Sequence, residues 1–486
     1  MDQRGDIGLS KKKSSFSEWF SEILSKAELA DLRYNAKGFL VHRPWAVRSL
    51  KRMYALYEKE LEQLGHQPVW FPAVIPEENF RLESSHVEGF MPEVFWVSPT
   101  KSASESEPRL ALRPTSETAM YKMYALWIRS WRDLPLKIYQ SCQVWRYETK
   151  ATRPFIRGRE FFWIETHNVF QDSKGAEQQV QEDMETTEKV MHQQFGIPFI
   201  FFRRPEWDKF PGAVHTYAAD SLMPDGKVLQ QPSTHLLGQN FAEPFGIRFR
   251  GQKGEEQVPH QTCYGPCIWR MFASVIGLHG DDKGLIFPFA IAPLQVIIIP
   301  IAAEKDKGVM KKSEEIKSLL EGAGLSAAID SSDNMPGWKF NQWEMKGVPI
   351  RLEIGPRDLK EGSVVAVRRD TGEKTNVKEK DILSFVQKAG ESLTRNLIKK
   401  ADEFFQGKIQ SASSMQDLGK KLKDGGFVKV SFCSDSSVGK PCAQKIKDEL
   451  HADIRGCRAD RTEKPAGSCI ACGKKASVVV YAGRQY

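Results

Sequence analysis

The sequence predicts three folded domains: an α+β domain with an antiparallel sheet, then an α/β domain, then a small α+β domain. Three observations support this prediction. An arginine-rich hairpin pattern occupies residues 142–168, strands and helices alternate after residue 293, and five of the eight cysteines follow residue 430. A chain of 486 residues has room for about two to four domains, each with its own core.

Changes in the pattern of predicted strands and helices indicate the domain boundaries. We expect a disordered N-terminus at 1–15, followed by domains at 16–289, 290–404 and 405–486. The last boundary follows a long predicted helix that ends near residue 404.

The first domain begins with a helix and a strand. Apolar residues recur at helical spacing from Arg43 to Leu64, and Gly65 ends the pattern. Residues 66–72 then read as a short strand that Pro72 closes.

The hairpin is the most informative segment of the chain. Arg146 and Glu148 stand two positions apart in its first strand, so we expect both side chains on one face. A basic loop through Lys150 and Arg153 leads to a second arginine-rich stretch at 157–161 and a second apolar strand. Guanidinium groups gathered on one side of a hairpin favour bidentate binding of a phosphate.

Another arginine stands at the start of a predicted helix. Residues 265–278 indicate a strand that passes into a helix, and Arg270 opens that helix. The helix dipole would add to the attraction of this arginine for phosphate. Farther along, strands at 296–300 and 348–354 alternate with helical segments, which predicts a mixed sheet.

Charge and hydropathy narrow the function classes. The net charge is +8, and residues 1–289 contribute nothing to it because their charges balance. A basic rear half suits a polyanion that is held away from a reaction centre. No stretch reaches the roughly 18–20 apolar residues that span a bilayer, and no secretion signal opens the chain. We therefore expect a cytoplasmic protein without a membrane partner.

The C-terminal cysteines have the spacing of a metal site. Cys469 and Cys472 form a Cys-x-x-Cys pair, and Cys433 with Cys442 can supply the other two thiolates of a structural, tetrahedral Zn²⁺ site. Cys457 is left over and remains an alternative to Cys442. Clustered thiols of this kind fit a reducing compartment better than a disulfide framework.

The chain resembles the class II aminoacyl-tRNA synthetases, whose three signatures fall in family order at Pro72, at 146–161 and at Arg270. It resembles above all the prolyl-tRNA synthetases of archaeal and eukaryotic type, over nearly its whole length. The segments that carry this second resemblance are 90–94, 112–118, 163–167, 233–241, 337–340, 346–358 and 368–374.

The resemblance implies a homodimeric ligase that activates L-proline with ATP and Mg²⁺ and transfers proline to the 3′ end of tRNA(Pro). Its catalytic residues would be Arg146, Glu148 and Arg270. The residues implied to bind ATP are Arg146, Glu148, Arg157, Gln230, Ser233 and Arg270. The residues implied to bind proline are Phe90, Thr115, Glu117, Arg146, Trp163, Glu165, His167 and His235.

The chemistry of proline agrees with this set. A secondary ammonium and an apolar ring need an aromatic wall with a few acceptors at one end. An ordinary core position remains the alternative for Trp163, and a satisfied buried histidine remains the alternative for His167 and His235.

Two further implications concern RNA and fidelity. Glu344, Arg351, Arg357 and Lys374 fall where the resembled family reads the anticodon, and arginine can pair with the O6/N7 edge of guanine. Surface salt bridges would use the same residue types. The stretch between Arg146 and Arg270 is too short for the editing insertion of bacterial relatives.

Other function classes remain as alternatives. One is a synthetase-like paralogue that charges no tRNA, which the anticodon-like segment disfavours. Another is a non-catalytic tRNA-binding protein, which has no need for two phosphate-directed arginines. Threonyl or seryl specificity is disfavoured because we expect no Cys/His metal set in the catalytic half and no coiled-coil arm.

Overall fold

The computed structural model describes residues 8–84, 94–97 and 109–486. The N-terminal region contains six described helices and fourteen described strands. The helices are α1 (Phe16–Lys26), α2 (Pro44–Gln63), α3 (Glu77–Ser84), α4 (Glu117–Trp127), α5 (Ser173–Thr187) and α6 (Ile268–His279). The strands are β1 (Ala30–Asp31), β2 (Val41–His42), β3 (Gln67–Pro68), β4 (Val74–Pro76), β5 (Trp96–Val97), β6 (Leu110–Leu112), β7 (Leu136–Trp145), β8 (Glu160–Phe170), β9 (Ile200–Arg203), β10 (His215–Leu222), β11 (Val228–Gly238), β12 (Phe249–Arg250), β13 (Glu256–Gln257) and β14 (His260–Gly265).

An antiparallel sheet forms the floor of this region, in the order β9-β10-β11-β14-β8-β7, with the short β3 parallel to β7 at its edge. This confirms the predicted α+β class. Helix α2 begins with Pro44 at its first position and buries Trp45, Met53 and Tyr57 at helical spacing. Helix α6 is apolar almost all round, so it is buried behind the sheet.

The hairpin forms, but its first strand ends earlier than expected. β7 stops at Trp145, and the main-chain N–H of Arg146 bonds to Arg159 O at 3.0 Å. The N–H of Glu148 then bonds to Arg146 O at 2.7 Å, which closes a tight turn. The prediction that Arg146 and Glu148 share one strand face is therefore wrong, because a turn replaces the two-residue repeat.

The second region is the predicted α/β unit with a mixed five-stranded sheet, in the order β16-β15-β17-β18-β19. The first three of these strands run parallel, because helices cover the connections, and the last two are antiparallel. The elements are β15 (Val296–Pro300), α7 (Lys307–Gly322), β16 (Ala327–Ile329), α8 (Pro336–Met345), β17 (Ile350–Ile354), α9 (Pro356–Glu361), β18 (Ser363–Arg368), β19 (Lys374–Lys378) and α10 (Ile382–Gly407).

The C-terminal region adds four strands to the sheet of the first region. Its elements are β20 (Ile409–Ser411), α11 (Met415–Lys421), β21 (Phe427–Phe432), α12 (Lys440–Leu450), β22 (Asp453–Arg458) and β23 (Val478–Gly483). β22 pairs antiparallel with β9, so one eleven-stranded sheet runs through both regions. The sequence pattern gave no indication of this continuity.

Two expectations at the boundaries differ from the structure. We expected residues 8–15 to be disordered, but they contact the first region. The main-chain N–H of Lys13 donates to the Asp282 carboxylate, and the Nζ of Lys13 donates to Leu278 O at 2.9 Å. Residues 1–7 lie outside the described part. Helix α10 continues to Gly407, past the boundary expected at 404. None of the described helices has the length and apolar composition of a membrane span.

Candidate active site

A cavity of about 370 Å³ opens on the antiparallel sheet, beside the first turns of α4 and α6. The structure brings together in its lining all the residues predicted for catalysis, ATP and proline except Phe90, which lies outside the described residues. They are Thr115, Glu117, Arg146, Glu148, Arg157, Trp163, Glu165, His167, Gln230, Ser233, His235 and Arg270.

Glu165 is the centre of a buried hydrogen-bond network at one end of the cavity. Its carboxylate accepts from the Ser116 hydroxyl, from Gln140 Nε2 at 2.9 Å and from His167 Nε2 at 3.1 Å. Burial alone would raise the pKa of Glu165, but these donors hold it below its usual range. The carboxylate is therefore ionised and fixed in orientation.

His167 completes the network from the next inward position of β8. Burial lowers its pKa, but the charges of Glu117 and Glu165 outweigh burial and raise the pKa above its usual value. Its Nδ1 lies 3.2 Å from the hydroxyl oxygen of Tyr121. Both ring nitrogens therefore have partners, as the alternative of a satisfied buried histidine requires, and the residue still lines the cavity.

Glu117 is the first residue of α4, and its carboxylate accepts a hydrogen bond from the Thr115 hydroxyl. Donor atoms of Glu117, His167 and Cys263 lie within 4.8 Å of one another. The expectation that the catalytic half brings together no such set is thus wrong. The set does not suit a metal ion, because both ring nitrogens of His167 already have hydrogen-bond partners.

His235 is a neutral support on the opposite wall. Its Nδ1 lies 2.9 Å from Thr216 Oγ1 and its Nε2 lies 3.1 Å from Ser233 Oγ. Burial, with the charge of Arg204, lowers the pKa of His235 to about 3. The ring of Phe210 packs 4.8 Å from the imidazole.

Arg146 lies between the two ends of the cavity. Its Nε donates to Pro114 O at 3.1 Å, and its guanidinium lies 5.3 Å from the ring centroid of Phe161 and 5.6 Å from that of Trp163. These aromatic faces hold the cation in place. Trp163 thus forms cavity wall as well as core.

The far end of the cavity is rich in arginine. Arg157 Nη1 lies 3.7 Å from a Glu148 carboxylate oxygen, and Arg157 Nη2 donates to the main-chain oxygen of Tyr486. Arg270 is the third residue of α6 rather than its opening residue. It donates to Ile156 O at 3.3 Å and to Gln230 O at 3.2 Å. The N-terminus of α6 therefore adds its dipole to this positive end.

Several cavity residues escaped the sequence analysis. Arg204, Phe210 and Thr216 line the wall next to His235, and Cys263 lines the floor. Arg204 could have been found from the sequence, because the Arg203-Arg204 pair ends an apolar strand. Phe210 and Thr216 carry no comparable local pattern.

The residues predicted to read an anticodon form one cluster and one outlier. Arg351 bonds to Glu353 at 2.9 Å and to Glu344 at 3.5 Å, and Lys374 lies 3.7 Å from Glu353. Arg357 instead pairs with Glu361 on the exposed side of α9. The structure thus brings three of the four predicted residues together and leaves the fourth apart.

The cysteine cluster forms as predicted around Cys442. The Sγ atoms of Cys433, Cys442, Cys469 and Cys472 lie within 4.8 Å of one another. Cys457 lies on β22 with its thiol toward Asp435. The structure therefore favours Cys442 over Cys457 as the fourth member of the set.

Comparisons with known proteins agree with the geometry over nearly the whole chain. Residues 95–278 match the family described as tRNA synthetase class II core domain (G, H, P, S and T), and residues 295–389 match the family described as anticodon binding domain. Residues 415–486 match the family described as prolyl-tRNA synthetase, C-terminal. The proline–tRNA ligase of Thermofilum pendens is 49% identical over 98% of each chain, and that of Pyrococcus abyssi is 40% identical over 97% of this chain and 98% of its own. The chain belongs to the prolyl-tRNA synthetase family.

Two solved prolyl-tRNA synthetases share the fold. The Giardia lamblia enzyme, solved in complex with prolyl-adenylate, has a TM-score of 0.94 and 35% identity, with 99% of this chain and 100% of that chain covered. The Cryptosporidium parvum enzyme, complexed with halofuginone and AMPPNP, has a TM-score of 0.91 and 33% identity, with the same coverage. The stretch from Arg146 to Arg270, all of it described, holds the hairpin, α5 and strands β9–β14, and no editing domain lies within it.

Proposed function

We propose that this prolyl-tRNA synthetase joins L-proline to tRNA(Pro) in two steps, through a prolyl-adenylate. The observation that carries the proposal is a single cavity with an acidic, aromatic end and an arginine-rich end, spanned by Arg146. The relatives that match nearly the whole chain are proline–tRNA ligases.

Proline would bind at the acidic end. Its secondary ammonium has two N–H donors, for which Glu117 and Thr115 offer acceptors, while Trp163 covers the apolar ring. Glu165 and His167 would fix these residues from behind. Gln140 and Ser116 in turn hold Glu165.

ATP would bind at the arginine-rich end. A carboxylate oxygen of proline attacks the α-phosphorus, the bond to the bridging oxygen breaks, and pyrophosphate leaves. Arg146 would contact the proline carboxylate and the α-phosphate together, and Arg270 would hold the departing phosphates. These charges are in place before the reaction, so little reorganisation is needed.

Mg²⁺ would assist at the same end. It prefers oxygen ligands, and the Glu148 carboxylate offers them beside Arg157. The bound ion would supply positive charge to the phosphates.

The second region would read the anticodon. Arg351, stacked 4.2 Å from the ring of Phe340, presents a planar fork that matches the O6/N7 edge of guanine. Glu344 and Lys374 flank it, and Arg357 stands exposed for phosphate or base contact. Binding of RNA would require Arg351 to exchange its carboxylate partners.

A structural Zn²⁺ would occupy the cysteine cluster. A tetrahedron with Zn–S bonds of about 2.3 Å has S–S edges of about 3.8 Å. The distance between Cys433 Sγ and Cys442 Sγ is 3.7 Å, which fits that geometry. Four thiolates leave no open position, so Zn²⁺ there would stabilise the fold and carry no chemistry.

A homodimer is supported by exposed apolar residues beside the β3 edge of the sheet. Trp70 is 93% exposed, and Leu126 and Trp127 are also exposed. A second copy that covers this face would bury them. All eight cysteines are free, which agrees with the proposed cytoplasmic setting.

Amino-acid-dependent exchange of pyrophosphate into ATP, measured for all twenty amino acids without tRNA, tests the first step. We expect strong exchange with proline and weak exchange with alanine and cysteine, since one methylene is worth only about 1–3 kcal/mol. Strong exchange with another amino acid would overturn the pocket assignment. Charging of tRNA(Pro) then separates the ligase from a paralogue that stops at the adenylate.

A further inference from the structure

A buried polar network joins the C-terminal region to the arginine-rich end of the cavity. Asp220 on β10 is fully buried and accepts hydrogen bonds from two arginines. Arg204 donates to it at 2.9 and 2.7 Å, and Arg455 donates at 2.8 and 3.2 Å. Arg455 lies on β22 and is 235 residues away from Asp220 in the sequence.

Both acid and arginine occur where a strand ladder is irregular. The pairing of β10 with β11 shifts register between Ala218 and Asp220, and that of β22 with β23 shifts between Ile454 and Gly456. Such bulges turn a side chain away from its regular direction. Gly456 allows the close approach, because a Cβ at this position would meet Arg203 O at 2.1 Å.

The network continues into the cavity through Arg204. Its Nη2 donates to Gln230 Oε1 at 3.2 Å, and Gln230 stands opposite Asp220 in the ladder. The main-chain oxygen of Gln230 accepts from Arg270 at 3.2 Å. Gln230 is therefore held from two sides, by its side chain and by its carbonyl group.

We infer that Arg455 and Asp220 are positioning residues for nucleotide binding, which act by fixing Arg204 and thereby Gln230. The C-terminal region then completes the nucleotide end of the cavity in addition to stabilising the chain. This inference rests on the proposed assignment of that end to ATP.

Burial and charge explain why the arrangement is rigid. Burial would raise the pKa of Asp220, but the two guanidinium groups lower it to about 2. One carboxylate thus balances part of the charge of two buried arginines, and the main-chain oxygen of Arg455 accepts a further bond from Arg204 at 2.8 Å. Loss of either partner leaves a buried ion without its hydrogen bonds, so the others must move.

The test compares Asp220→Asn and Arg455→Gln with wild type in proline-dependent pyrophosphate exchange. We expect the KM for ATP to rise at least about fivefold, with the KM for proline changed less than about twofold. Arg455→Lys keeps the charge but lacks the planar fork, so its KM for ATP should lie in between. This milder variant decides the matter if the other two fail to fold.

Arg203→Gln is the matched control. Arg203 crosses the same junction, with an ion pair to Asp435 at 2.7 Å, but belongs to its exposed side and not to the Asp220 network. Its KM for ATP should equal that of the wild type. A purely structural role for Arg455 would instead lower the melting temperature and kcat, with both KM values unchanged, and that result would overturn the inference.

The dependence on Gln230 has its own test. In the double variant Gln230→Leu/Arg455→Gln, the KM for ATP should be no higher than in Gln230→Leu alone, because both act through one contact. Additive effects would contradict the inference. Two measurements keep the two proposals apart. If the wild type shows no pyrophosphate exchange, the proposed function is overturned. If calorimetry without proline gives equal ATP affinities for the wild type and Arg455→Lys, the positioning role of Arg455 is overturned.

Discussion

Arg270 in the cavity and Arg351 in the anticodon-like region are held in opposite ways. In the cavity, Arg270 donates to the main-chain oxygens of Ile156 and Gln230. In the second region, Arg351 donates to the carboxylates of Glu353 and Glu344. Both side chains are fixed, but a carbonyl group leaves the charge of the arginine intact, whereas a carboxylate cancels most of it.

This difference matches the two tasks that we propose. Phosphates that change bonding partners need positive charge that is already in place. An arginine that reads a base gains specificity if it must first release a carboxylate. A base whose edge forms fewer hydrogen bonds with the guanidinium group cannot compensate for the loss of that carboxylate. Under this proposal, the same residue type would serve catalysis or discrimination according to what holds it.

The largest effect should come from removing charge in the cavity. Arg270→Ala should lower proline-dependent pyrophosphate exchange by about 10²- to 10³-fold, because it removes a charged donor to the departing phosphates. Arg270→Lys should retain part of the rate, since it keeps the charge without the fork. Exchange within tenfold of the wild type in Arg270→Ala, at an unchanged melting temperature, would place the phosphates elsewhere.

The cysteine cluster extends the comparison to four thiol groups, for which we propose a Zn²⁺ ion as the shared partner. Cys472→Ser should abolish the bound zinc, measured by atomic absorption, and lower the melting temperature. Cys457→Ser is the matched control and should keep about one zinc per chain. Zinc lost from Cys457→Ser and kept in Cys472→Ser would reverse the assignment of the ligands.

A smaller effect is expected from the carboxylate-bound arginine. Arg351→Ala should lower charging of tRNA(Pro) by roughly 5- to 150-fold, the worth of one bidentate base contact. Pyrophosphate exchange without tRNA should stay at the wild-type rate. Arg395→Ala, which removes an exposed ion pair with Glu391 on α10, should leave both activities unchanged. Equal losses of charging in the two variants would indicate nonspecific attraction of RNA.

A buried carboxyl group with neutral partners should affect the pH dependence of stability rather than activity. Burial raises the pKa of Asp183 to about 7, although Thr234 and Gln179 donate to it at 2.6 and 2.8 Å. In the unfolded chain the pKa of Asp183 is near 4. The contribution of this carboxyl group to the free energy of unfolding is therefore complete below pH 4, and it is lost as the pH rises toward 7. The free energy of unfolding should fall by at most about 1.4 kcal/mol per pH unit because of this group.

Asp183→Asn should remove this decline, because the amide does not titrate. Denaturant unfolding at pH 5 and pH 8 measures it: the advantage of Asp183→Asn over the wild type should grow with pH. Parallel stability curves would show that the carboxyl group is ionised in the folded protein at both values.

The sequence was sufficient to predict those cavity residues that are marked by local sequence signals. Arg270 follows a Tyr-Gly-Pro segment that leads into a helix, and the hairpin carries its arginines within a few residues of the bend. Each of these signals involves only neighbouring residues, and the pairing of β14 with β8 then brings the two segments together. The expected strand position of Glu148 failed because a main-chain turn, invisible in the side-chain pattern, ends β7.

Contacts between distant segments could not be predicted in the same way. Nothing local marks Asp220 or Arg455 as partners, since each meets the other only after β22 pairs with β9. The pairing of Arg351 with Glu353 also depends on which face of β17 is covered. Alternating charge predicts that an ion pair can form, but not that it is buried.

The junction between β9 and β22 also sets an order of events during synthesis. The first region can fold its sheet early, but β9 lies at an open edge and Asp220 faces one arginine until Arg455 arrives, 235 residues later. At about 5–20 residues per second, a ribosome needs on the order of ten to fifty seconds for that distance. The nascent chain therefore passes through a period in which an unpaired strand edge and an incomplete ion cluster need protection from other chains.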